Sequence, residues 1–97
     1  MNRDQIRTRL QQHQAELRSL AVASLVLFGS VARGEARPES DVDLLVEFDR
    51  PVGLFHFLRL QRRLAELLDG AEIDLVLRRA LLPELTESVE REAISCL

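Results

Sequence analysis

Asp41-Val42-Asp43 stands at the head of a segment, Val42 to Phe48, that is apolar except for Asp43 and Glu47. It reads as a β-strand ended by Asp49-Arg50-Pro51. Side chains alternate across a strand, so Asp41 and Asp43 project to one side while Val42, Leu44 and Val46 project to the other. The apolar side can lie under helices, but the carboxylate side cannot be packed that way without a partner for its charge. Two carboxylates about 6.6 Å apart repel by about 2.5 kcal/mol at an effective dielectric of 20, and by about 0.6 kcal/mol in water. An exposed strand end tolerates that, so the pair alone does not establish a metal site.

Asp74 adds weight. It lies between Ile73 and Leu75 in a second strand-like run, Ile73 to Leu77, which should be buried. If the two strands are neighbours, Asp41, Asp43 and Asp74 converge. An all-oxygen cluster of this kind suits Mg²⁺, which takes its remaining ligands from water and substrate phosphates. Gly29-Ser30 supplies a complementary half. The apolar run Ser24 to Phe28 reads as another strand, closed by Gly29, with Ser30 opening a helical turn over Val31 to Gly34. Such a turn lets backbone N–H groups and a hydroxyl approach a phosphate. Arg33, one turn on, is placed to reach phosphate oxygens or the base. Together these residues read as a phosphoryl-transfer centre with two Mg²⁺ ions and a nucleoside triphosphate. Asp41 and Asp43 bridge the ions in that reading, and Asp74 completes the acceptor-side ion and takes the acceptor's proton.

The rest of the chain alternates helical and strand periods. Ile6, Leu10, His13, Leu17 and Leu20 predict a helix over roughly Asp4 to Leu20. Phe57, Leu60, Leu64 and Leu67 predict a second, ended by Gly70. Pro83 opens a third, with Leu82, Leu85, Val89, Ala93 and Cys96 along one side. The order predicts an α/β fold, a small mixed sheet with helices packed on one face, in a single domain over residues 1–97.

Composition narrows the function classes. A net charge of −3, a pI near 5.4 and the absence of Trp and Tyr disfavour non-specific nucleic-acid binding. A nucleotide held through a cation is not disfavoured. The lone Cys96 suits a reducing compartment, and the sequence has neither an apolar signal core nor a membrane-length apolar run, so the cytoplasm is expected. His13, His56 and Cys96 form no zinc pattern. Arg37, Arg78 and Arg79 read as solvated or partner-facing, and Glu47 as ion-paired or solvated. Glu84, Glu87, Glu90 and Glu92 read as a solvated acidic helix face.

The run Gly29-Ser-Val-Ala-Arg-Gly-Glu-Ala-Arg-Pro-Glu-Ser-Asp-Val-Asp-Leu-Leu-Val46, followed by Asp74, resembles the polymerase-β-type nucleotidyltransferases. Within them it is similar to the minimal nucleotidyltransferases (MNT) that are partners of HEPN toxins. The resemblance spans the whole chain, and Ser30, Asp41, Asp43 and Asp74 match the family's functional positions. It implies a polymerase-β-like fold and an antitoxin of a type VII toxin–antitoxin module. The implied reaction is Mg²⁺-dependent transfer of AMP from ATP to a tyrosine of a HEPN ribonuclease, which the antitoxin also binds. The short chain leaves little to hold an acceptor, so a partner is expected to present it. Two other readings stay open: an antitoxin acting by occlusion alone, and a transferase acting on an RNA or small-molecule hydroxyl.

Overall fold

In the computed structural model, which describes residues 1–35 and 41–97, the chain begins with a reciprocal helix cap. The Asn2 side chain accepts from the Gln5 N–H at 2.9 Å, and the Gln5 side chain accepts from the Asn2 N–H at 2.9 Å. Helix α1 (Arg3–Gln12) follows, then α2 (Gln14–Ser19). The single helix predicted over Asp4 to Leu20 is therefore interrupted, at His13. The His13 ring Nδ1 bonds the Arg9 carbonyl at 2.9 Å, the acceptor the His13 amide would use in an unbroken helix. The amide turns to the Leu10 carbonyl instead.

Among the described residues β1 (Val22–Phe28), β2 (Val42–Phe48), β3 (Ile73–Leu77) and β4 (Ile94–Ser95) form one mixed sheet in the order β3-β2-β1-β4. Strand β1 pairs antiparallel with β2, and β2 pairs parallel with β3. Parallel neighbours require a crossover, which α4 (Leu54–Leu67) provides. The short helix α3 (Gly29–Ala32) follows β1, and α5 (Pro83–Glu92) follows a 3₁₀ turn at Arg78–Ala80.

The core lies on one sheet face. Leu25, Leu27, Leu44 and Val46 are fully buried in a cluster with Ile6, Leu10, Leu17, Leu60 and Leu64. The 3.6-residue spacing along α1, α2 and α4 and the two-residue spacing along β1 and β2 bring these side chains together. Two side-chain contacts fix the helices in place: Arg63 on α4 forms a two-point ion pair with Glu16 on α2, and Arg3 bonds the Ala32 carbonyl at the end of α3.

The end of the chain departs from the sequence reading. Ala93 and Cys96 do not continue α5. At Ala93 the backbone turns extended (ψ 137°), and Ile94–Ser95 form β4, antiparallel to β1. The Cys96 N–H donates to the Leu25 carbonyl at 2.9 Å, and Cys96 is fully buried. The strand β1 otherwise has an unpaired backbone edge, and satisfying it competes successfully with one more helical turn. No helix among the described residues is long and apolar enough to cross a membrane.

Candidate active site

The sheet register assembles the site on the face opposite the core. Phe28, Asp43 and Asp74 are lateral neighbours on β1, β2 and β3. Asp43 and Asp74 are therefore paired positions on parallel strands, as the site reading requires. Gly29 follows Phe28 at once, so the phosphate-type turn and the carboxylates meet at one end of the sheet.

The contact between the two halves is very close. Gly29 has φ +77°, and a Cβ built there would lie 2.2 Å from Asp43 Oδ2. Both the left-handed backbone and the missing side chain are needed. Ser30 is the second residue of α3, which is anchored by the buried Val31 and Ala32, and the Ser30 carbonyl accepts from the Glu35 N–H at 2.9 Å.

Asp43 is half-buried and its carboxyl is pushed up to about 6. Burial is the largest cause, followed by the charge of Asp74, a carboxyl–carboxyl hydrogen bond with Asp74, and the charge of Asp41; Arg33 opposes them. Burial and the neighbouring carboxylates both disfavour the charged form of Asp43, and a bound cation would offset both. The donor set is all oxygen and fits Mg²⁺.

Asp74 is exposed on the sheet face away from the core, whereas Ile73 and Leu75 on the core face of the same strand are buried. The run around Asp74 is buried as expected but Asp74 itself is not, so its place in the site rests on its register with Asp43. Asp41 is exposed and precedes the first ladder residue, Val42. Among the described residues no three His, Cys, Asp or Glu side chains close into a preformed ligand group, and Asp41 forms none with Asp43 and Asp74. Its charge nonetheless acts on Asp43.

Arg33 ends α3 close enough to act electrostatically on Asp43. Its guanidinium is held by Glu35 (Nε to Oε2, 3.1 Å) and by Glu92 at the end of α5 (Nη1 to Oε2, 3.0 Å). These carboxylates raise the Arg33 pKa further, with Glu35 the larger cause. Glu92 was read from sequence as part of a solvated face, and no local pattern could connect it to a residue 59 positions away. Glu35, two residues from Arg33, was open to a local-pair reading. Glu90 and Glu87 also pair within the chain, with Arg78 at 2.9 Å and Arg91 at 3.3 Å.

The other sequence candidates stay outside the site. Glu47 shares the Asp43 face but faces Arg78 at 3.9 Å. His56 Nε2 contacts the Leu20 carbonyl oxygen at 2.6 Å, and its ring meets Phe48 edge-on, with centroids 5.6 Å apart. Arg37 lies outside the described residues.

Comparison with known proteins bears on the family and the fold. Residues 4–96 match the family model of the nucleotidyltransferase domain. The chain is 38% identical over 92 residues to the protein adenylyltransferase MntA of Thermococcus cleftensis, covering 94% of this chain and 92% of that one. A structure solved under the provisional description of a minimal nucleotidyltransferase superposes with a TM-score of 0.82 at 41% identity, covering 97% of this chain and 95% of the other. The fold also recurs in a complex of a tri-AMPylated Shewanella oneidensis HEPN toxin with an MNT antitoxin. There the TM-score is 0.65 at 21% identity, with coverage of 94% and 71%. The chain belongs to the nucleotidyltransferase domain family.

Proposed function

We propose that this chain is an antitoxin of the MNT type, a single minimal catalytic domain that transfers AMP from ATP to a tyrosine hydroxyl of a HEPN-type toxin and so neutralises it. The observation that carries the reading is the Gly29-Ser30 turn set directly against the Asp43–Asp74 pair. The name of the Thermococcus cleftensis relative and the AMPylated toxin in the Shewanella complex support the donor and the acceptor class.

Asp41, Asp43 and Asp74 would hold Mg²⁺, two ions in the full site, and Gly29, Ser30 and Arg33 would hold the triphosphate. When bound, Mg²⁺ supplies positive charge against the triphosphate and the departing pyrophosphate. The acceptor oxygen attacks the α-phosphorus in line, the bond to the pyrophosphate oxygen breaks, and the acceptor's proton passes to Asp74. Gly29 keeps the backbone close enough for its neighbours' N–H groups to face phosphate oxygens.

A second reading, neutralisation by binding alone, has its own observation. Leu54, Phe55 and Leu58 on α4 are 67%, 84% and 46% exposed, an apolar surface suited to a protein partner. A groove of about 520 Å³ lined by Phe48, Leu54, Phe57 and Leu77 adjoins it, at the end of β2 away from Asp41. Incubation with labelled ATP, Mg²⁺ and the toxin separates the two. Label on the toxin that disappears with Asp41→Asn/Asp43→Asn supports transfer. Neutralisation by the intact chain with no label on the toxin supports occlusion.

A further inference from the structure

Among the described residues Arg33 is the cationic side chain whose charge is felt at Asp43, and Glu35 and Glu92 hold its guanidinium. The two are unlike. The Glu35 side chain is 64% exposed, on the segment just beyond α3. The Glu92 side chain is 32% exposed and comes from the last turn of α5. One residue beyond it the backbone turns extended, and Ile94–Ser95 pair with Leu27 and Val26 of β1, the strand that leads into Gly29. Glu92 is therefore tethered to the same strand that carries the phosphate-type turn. A salt bridge between two long surface side chains ordinarily contributes little, because both must be immobilised to form it. Here the backbone has already fixed one end.

A guanidinium has five N–H donors. Among the described residues Glu35 takes Nε–H and Glu92 takes one hydrogen of Nη1, which together engage two of the five. We infer that Glu92 is a positioning residue: held by β4, it orients the Arg33 guanidinium so that its remaining donors meet the nucleotide phosphates, and it thereby sets the affinity for ATP. The inference rests on the reading of Arg33 as a phosphate ligand, and it gives β4 a role in the site.

The test is a double-mutant cycle on ATP binding, measured by calorimetry with ATP alone and with Mg²⁺ present. Glu92→Ala is expected to weaken binding about tenfold, the scale of one charge-assisted hydrogen bond. Glu92→Gln, which keeps an acceptor oxygen, is expected to stay within about threefold of the parent. In an Arg33→Ala background Glu92→Ala should have no further effect. The Arg33 Nε–H resonance should shift in Glu92→Ala and much less in Glu92→Gln. If Glu92→Ala is unfolded by circular dichroism, Glu92→Ser takes its place in the cycle.

Unchanged or tighter ATP binding in Glu92→Ala overturns the inference, as does an equal loss in the Arg33→Ala background, which would mark a purely structural role. Unchanged binding in Arg33→Ala also overturns it. In that case, label transfer abolished by Asp41→Asn/Asp43→Asn still supports the adenylyltransferase reading, so the two can fail separately.

Discussion

A Cβ placed on Gly29 would lie 2.2 Å from Asp43 Oδ2, so the phosphate-type turn and the central carboxylate occupy adjoining space with no room for a methyl group between them. Gly29→Ala should therefore act on the site in two ways, through the strain of φ +77° and through displacement of Asp43. The expected outcome is loss of label transfer by at least about 100-fold, the scale set by a misplacement of about 1 Å. Stability in a urea titration should fall by about 1–3 kcal/mol. Near-parental transfer by a folded Gly29→Ala protein would show that the turn does not need this approach.

Asp43 is a site of electrostatic tension in the metal-free protein, and its substitution should separate stability from activity. Its carboxyl titrates near 6 in the folded chain against an ordinary 3.8, so the folded state holds the proton more tightly than the unfolded one. The stabilisation is complete below about pH 4 and is lost as pH rises through about 6. Discounted for solvent screening at a half-exposed group, the effect is about 1–2 kcal/mol. Asp43→Asn should raise the melting temperature of the metal-free protein at pH 7.5, leave it nearly unchanged at pH 4, and abolish transfer. A lower melting temperature at both pH values would contradict this.

The same burial and neighbouring carboxylates predict how Mg²⁺ acts on the protein without nucleotide. Cation binding competes with the proton at Asp43, so millimolar Mg²⁺ should raise the melting temperature at pH 7.5 and much less at pH 5. EDTA should reverse the gain. An equal gain at both pH values, or one that survives in Asp41→Asn/Asp43→Asn, would place the ion elsewhere.

Cys96 should report on β4. Burial raises its thiol to about 11, and its backbone N–H is committed to the Leu25 carbonyl. At pH 8 the folded protein should react with a disulfide reagent far more slowly than the chain in denaturant. Substituting Ile94 by Pro, which breaks the extended segment, should accelerate the reaction and lower the melting temperature. Rapid modification of the folded parent would mean that β4 opens readily.

Local chemistry made much of this protein legible in its sequence. The alternation in Val42–Phe48 and the helical spacing of Leu60 and Leu64 reflect which side chains avoid water, and that preference holds at short range. The pairing of Gly29-Ser30 with Asp41-Val42-Asp43 was visible because each residue type is tied to one kind of phosphate or cation contact. What the sequence could not show depended on contacts made across the fold. The parallel register that sets Asp74 beside Asp43, and the choice of sheet face that leaves Asp74 exposed, follow from how the strands and helices assemble. The break at His13 arises from a ring nitrogen competing with a backbone amide for one carbonyl. Most telling is the chain end, where the helical pattern through Val89 extends to Ala93 and Cys96. Only the open edge of β1, which exists once the sheet has formed, offers those backbone groups a better partner and brings Glu92 to Arg33.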